Sequence, residues 1–203
     1  DSLWIGHKGQ RGSAAFTRVS VSINKSYTPI VGDFYGDDYD DIIWYGPGTA
    51  ADSAWVATDT PGYFTTRSTT INGNFRPTVL HDYTSLNRKD DLFWYAPGSA
   101  KDYVWHMQEG GAGTYSSVNI SISGTFQVVA GDWNADHLED VVLYAPGSAQ
   151  DYRWASKADG SFATSPLTVN GNFRPVTILQ TNGDGILWWA DGAAAEAYWV
   201  RNG

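Results

Sequence analysis

WYGPGTAADSAW (Trp44–Trp55), WYAPGSAKDYVW (Trp94–Trp105), LYAPGSAQDYRW (Leu143–Trp154) and WWADGAAAEAYW (Trp188–Trp199) are four copies of one segment. Their starts at 44, 94, 143 and 188 lie 50, 49 and 45 residues apart. The period is filled with short alternating runs and Gly/Pro punctuation and carries no helical pattern. Each copy is therefore a small sheet that buries its faces against its neighbours.

Working outward from the second copy, the alternation predicts strands over 76–81, 91–96, 102–107 and 114–121. Asn72-Gly73, Pro97-Gly98 and Gly110-Gly111 supply the turns between them. Four strands in about fifty residues make one blade, so the expected fold class is all-β, a β-propeller of four-stranded blades. Asp1-Ser-Leu-Trp4 matches Asp52-Ser-Ala-Trp55, so the sequence opens in the middle of a blade. The expected layout is one domain over 1–203, with repeats 23–70, 71–121, 122–168 and 169–203, the last completed by strands from 1–22. One third-type strand is then surplus. It leaves three closures open: an extra edge on a four-bladed ring, a piece of a larger ring, or blades shared between chains of a homo-oligomer.

The chain has 203 residues, 17% of them charged and 15% aromatic, with 22 glycines and a formal charge of −9. That balance excludes a nucleic-acid backbone or an anionic membrane surface as partner, since both call for basic patches. There is no cysteine, hence no disulfide framework or thiolate chemistry. No apolar run has membrane-spanning length, and a secreted, extracellular protein is expected.

The acidic residues gather in loops between first and second strands. In GDWNADHLED, Asp132, Asn134, Asp136 and Asp140 occupy positions 1, 3, 5 and 9, with the Leu138 carbonyl at position 7. Alternate positions of a tight loop converge hard oxygen donors, which suits calcium. GDFYGDDYDD repeats the frame with Asp33, Asp37, Tyr39 and Asp41, but has Tyr35 at position 3. The loop from Asp82 to Asp91 carries Arg88 and Lys89, and LQTNGDG is shortened. Neither looks competent for an ion. The alternative throughout is an Asx-turn, in which the carboxylates accept from backbone amides without metal. The runs GDWNADHLEDVVLYAPG and GDFYGDDYDDIIWYGPG, with Phe75, Phe126 and Phe173 opening first strands, resemble the FG-GAP repeat of integrin-type propellers. The resemblance implies a propeller with calcium in these loops.

Trp44, Trp94 and Trp188 share one place in the second strand, and Asp52, Asp102, Asp151 and Glu196 share one beside it. Two uses are open. Large aromatics fill the gaps between stacked blades, and the acid closes the turn after Pro-Gly. Alternatively, exposed rings with Asp52, Asp102, Asp151, Arg76 and Arg174 around them form repeated platforms for a carbohydrate, giving a multivalent lectin-like module. A protein-interaction scaffold is the competing class. No nucleophile or metalloprotease motif occurs, so no catalytic residues are assigned and the chain is read as a non-enzyme. Residues that break the repeat, such as His81 and His106, are where chemistry would sit if there were any.

Overall fold

The computed structural model describes residues 1–6, 15–81, 89–108, 115–192 and 195–200. The described residues form strands and no helix. A two-stranded hairpin sheet holds β1 (Ser2–Gly6) and β2 (Phe16–Ser20). The first full sheet holds β3 (Thr28–Gly32), β4 (Asp41–Tyr45), β5 (Asp52–Ala57) and β6 (Phe64–Thr69). The second holds β7 (Arg76–Leu80), β8 (Asp91–Tyr95), β9 (Asp102–Met107) and β10 (Tyr115–Ile120). The third holds β11 (Gln127–Gly131), β12 (Asp140–Tyr144), β13 (Asp151–Ser156) and β14 (Phe162–Leu167). The fourth has three strands, β15 (Arg174–Ile178), β16 (Gly185–Trp189) and β17 (Ala197–Trp199). Every pairing is antiparallel between chain neighbours, as the turn chemistry dictates.

The expected completion of the last repeat by residues 1–22 is not among the described pairings. Among the described residues β2 pairs with β1 alone, and the fourth sheet ends at β17. β1 is itself a third-type strand, and it takes its own hairpin partner as β5 takes β6. Five sheets result, where four blades were expected.

The chain divides into two compact units. One comprises Asp1–Asp33 with Asp37–Asn74, the other Phe34–Gly36 with Phe75–Gly203. In the larger unit, the face of the second sheet bearing Phe93, Tyr95 and Val104 packs on Val141, Leu143 and Trp154 of the third. The opposite face of the third sheet, with Val129, Val142 and Tyr144, packs on Ile186 and Trp188 of the fourth. We call the Tyr-bearing face of each sheet its leading face and the other its trailing face. Leading packs on trailing at both junctions.

The repeated signature explains how one sheet is tied to the chain segment entering the next. Asp52 accepts from Gly46 N (2.7 Å) and Ile71 N (2.6 Å), Asp102 from Ala96 N (2.7 Å) and Ile122 N (2.9 Å), and Asp151 from Ala145 N and Val169 N (2.7 Å each). All three carboxylates are buried. The tyrosine ending each second strand adds a second tie: Tyr45, Tyr95 and Tyr144 donate their hydroxyls to the carbonyls of Gly73, Gly124 and Gly171. Beside it, Gly48, Gly98 and Gly147 pair with those same glycines as isolated bridges. Their φ values of 85°, 102° and 101° are costly for any residue with a Cβ, which is why Pro-Gly recurs there. In the fourth copy Trp189 has no hydroxyl, Glu196 stands in place of the aspartate, and Asp191-Gly192 replaces Pro-Gly with the glycine kept.

Removing a buried acceptor leaves its donors unsatisfied, at about 1–3 kcal/mol per donor. Asp102→Ala strands two amides, so a loss of roughly 3 kcal/mol is expected, or about 6–12 °C in melting temperature for a chain of this size. Asp102→Asn should do little better, because its NH2 group would face one of the two N–H donors. Calorimetry of both variants checks this, and an Asn variant as stable as wild type would contradict the bridging role.

Candidate functional site

The repeated sugar platforms do not exist as surfaces. Trp94 and Trp188 are 1% and 0% exposed. Trp94 packs edge-on against Trp105, with ring centroids 4.9 Å apart, and Trp188 likewise against Trp199 at 5.1 Å. Trp44 is half-buried against Trp55 in the same way. Burying such rings is worth more to the sheet stack than leaving them to solvent. Asp52, Asp102 and Asp151 are the buried ties just described. Arg76 lies at the surface and reaches the Phe126 carbonyl (3.3 Å). Arg174 is exposed, pairs with Asp191 at 2.9 Å and lies over the Trp189 ring. The eight residues therefore do not assemble into repeated pockets.

The acidic loops fold as Asx-turns. Asp33 accepts from the amides of Asp37 and Asp38, and Asp37 from Tyr39 N. Asp132 accepts from Asp136 N and His137 N, Asn134 from Asp136 N, and Asp136 from Leu138 N. The position-9 acids point elsewhere: Asp41 accepts from Ala57 N (2.9 Å), while Asp140 accepts from Ser156 N (2.9 Å) and pairs with Arg153 (2.8 Å). The set of Asp132, Asn134, Asp136, Leu138 and Asp140 is thus divided, with a guanidinium beside its last member. No group of three or more histidines or acids placed to hold a metal is found among the described residues. Asp82 and Arg88 of the second loop lie outside the described residues.

One polar cleft does form, in the larger unit, between the leading face of the second sheet and the third. Its cavity is about 310 Å³, lined by Leu80, His81, Asp91, His106, Gln108, Ser116, Leu138, Glu139 and the turn from Ser156 to Phe162. The strand register builds it. His106 stands in β9 where Val56 and Ala155 stand in the neighbouring repeats, and so reaches Asp91 at the start of β8, with Nδ1 2.6 Å from Oδ2. The other Asp91 oxygen accepts from Met107 N. Nε2 of His106 packs on Gly160, where an added Cβ would lie 3.1 Å away and φ is +77°. The Asp91 hydrogen bond raises the His106 pKa; burial opposes it, and the Asp91 charge and the Gly160 carbonyl support it.

Glu139 forms the opposite wall. It accepts from His81 N (2.9 Å), while His81 Nδ1 lies 2.9 Å from Asp90. Burial pushes the Glu139 carboxyl up to about 7; the His81 amide and ring charge pull it down, and the charges of Asp184 and Asp90 push it further up. The rim carries ordinary hydrogen-bonding groups. Gln108 donates to Ser116 Oγ (3.1 Å), and exposed Asp159 holds Ser161 through its hydroxyl (2.6 Å) and amide (3.0 Å), which lowers its pKa. Lys157 lines the cleft from the same turn and is exposed. None of Gln108, Ser116, Glu139, Lys157 or Asp159 is singled out by the motifs. The available signal was departure from the repeat, above all a histidine in a Val/Ala position.

No family model, curated protein or solved structure matches the chain.

Two measurements follow from this geometry. Both Glu139 and His106 have pKa values raised in the folded state, so each contributes stability that is complete at low pH and lost on raising it. The Glu139 share fades from about pH 4.5 to about 7, and the His106 share above 6.5. Moving a carboxyl from 4.5 to about 7 corresponds to roughly 3 kcal/mol. Glu139→Gln keeps an acceptor for His81 N, and should flatten the stability profile between pH 4.5 and 7 while raising stability at pH 8. An unchanged slope in urea titrations would contradict the assignment. For the loops, melting temperatures in excess calcium and in chelator should agree, and Asp132→Ala should cost about 1–3 kcal/mol in both. A rise with calcium that Asp132→Ala abolishes would show that the loop rearranges around an ion.

Proposed function

We propose that the chain is a non-catalytic, extracellular carbohydrate-binding module built on propeller-type repeats of the FG-GAP kind, with its ligand held in the cleft between the second and third sheets. The observation that carries this reading is the convergence of unlike hydrogen-bonding groups on one cavity. Gln108, Ser116 and Ser161 offer amide and hydroxyl partners, Lys157 and Asp159 charged ones, and Leu80, Leu138 and Phe162 apolar edges. A polyhydroxylated ring needs such a mixture, with donors and acceptors side by side and a C–H surface between them. The cavity lies at the small end for ligand sites, which fits one sugar unit entering from a chain end. This reading seats the ligand in the cleft and not on the repeated platforms expected from the sequence. The net charge of −9 disfavours nucleic acid as the ligand.

A glycan array followed by calorimetry tests the reading. Binding of at least one sugar class is expected, weakened about tenfold or more by Lys157→Ala and by Gln108→Ala, and untouched by Asp191→Ala, which lies away from the cleft. No glycan bound, with a protein captured in its place, would favour the interaction-scaffold reading. Sugar binding indifferent to both cleft substitutions would remove the cleft as the site.

A further inference from the structure

The hairpin sheet and the fourth sheet each leave uncovered a face that the rest of the chain packs away. In β1 and β2 the trailing face carries Trp4 and Phe16, paired edge-on at 6.2 Å, and they are 62% and 51% exposed. In the fourth sheet the leading face carries Val176, Leu187, Trp189 and Tyr198, of which Trp189 is 39% and Tyr198 47% exposed. Scattered apolar residues at a surface mean little, but clustered aromatics on one sheet face mark a contact site.

The chain itself shows what such faces hold. At the junction of the second and third sheets, Phe93 of the leading face sits against Trp154 and Phe162 of the trailing face, at 6.2 and 6.3 Å between ring centroids. By strand register, Leu187 is the counterpart of Phe93: it pairs with Val176 and Tyr198 as Phe93 pairs with Thr78 and Val104. Trp4 is the counterpart of Trp154 through the matching Asp-x-x-Trp segment, and Phe16 is that of Phe162, since Phe16 faces Gly6 as Phe162 faces Ser156. The uncovered residues are therefore counterparts of the two halves of the junction between the second and third sheets.

We infer that a second copy of this chain covers these faces head to tail, with Trp4 and Phe16 of one copy seated on Leu187, Trp189 and Tyr198 of the next. The interface is heterologous, since the two patches differ, so it propagates into closed rings or open arrays instead of stopping at a symmetric dimer. Sedimentation velocity over a wide concentration range tests this. Wild type should exceed the 22.2 kDa single-chain mass as concentration rises. Trp4→Asp and Tyr198→Asp, both at exposed positions, should each sediment as a single chain with unchanged circular dichroism. A mixture of the two retains one competent pair of patches and should give particles of two chains and no larger. Wild type remaining a single chain at every concentration overturns the inference, as does association that survives Trp4→Asp or a mixture that fails to pair.

Discussion

A buried carboxylate with two backbone amides to satisfy is the constraint on which the rest of this structure depends. Asp52, Asp102 and Asp151 each begin a third strand, and each accepts at once from the turn behind it and from the segment that leads to the next sheet. A small four-stranded sheet has too little interior to stand alone, so it depends on how accurately its neighbour is placed. In the larger unit Asp102 and Asp151 set that placement within one repeat length, and the hydroxyls of Tyr95 and Tyr144 and the paired glycines repeat it a few residues away. Burial raises the Asp102 pKa against the pull of its two amide bonds, which shows the cost of drying the charge and why both oxygens must be used.

The strands were legible because their alternation survives in every copy, and the turns because Asn-Gly and Pro-Gly leave few backbone choices. What could not be read was the direction of a side chain. Asp102 and Trp94 look the same in sequence whether they face solvent or a neighbouring sheet; both are buried, on opposite faces of their sheet. Asp140 likewise holds position 9 of an apparent calcium loop, yet its carboxylate turns along the sheet to Ser156 and Arg153, sixteen and thirteen residues away. Spacing within a loop carries no information about such a competing partner. The reading of residues 1–22 as a third and a fourth strand matches the β1–β2 hairpin, which forms because a third-type strand pairs with the nearest fourth strand in the chain.

The cleft arises where the repeat is broken without disturbing its ties. Replacing Val or Ala by His106 leaves the β8–β9 pairing intact and uses Asp91, already present to hold Met107 N, as the imidazole's partner. Glu139 similarly stands in the place of Asp40 and Asp184, and its longer side chain reaches His81 N across to the second sheet. Asp184 makes the shorter version of that contact with Asp132 N. Chemistry is thus added at residues whose backbone positions the repeat already fixes.

Native-state hydrogen exchange on the amides held by the three buried carboxylates tests the central claim most directly. If these bonds set the placement of the sheets, Ile71, Ile122 and Val169 should exchange as slowly as amides at strand centres, opening only with the sheet they join. Exchange at the rate of surface turns, with the strand centres still protected, would contradict it.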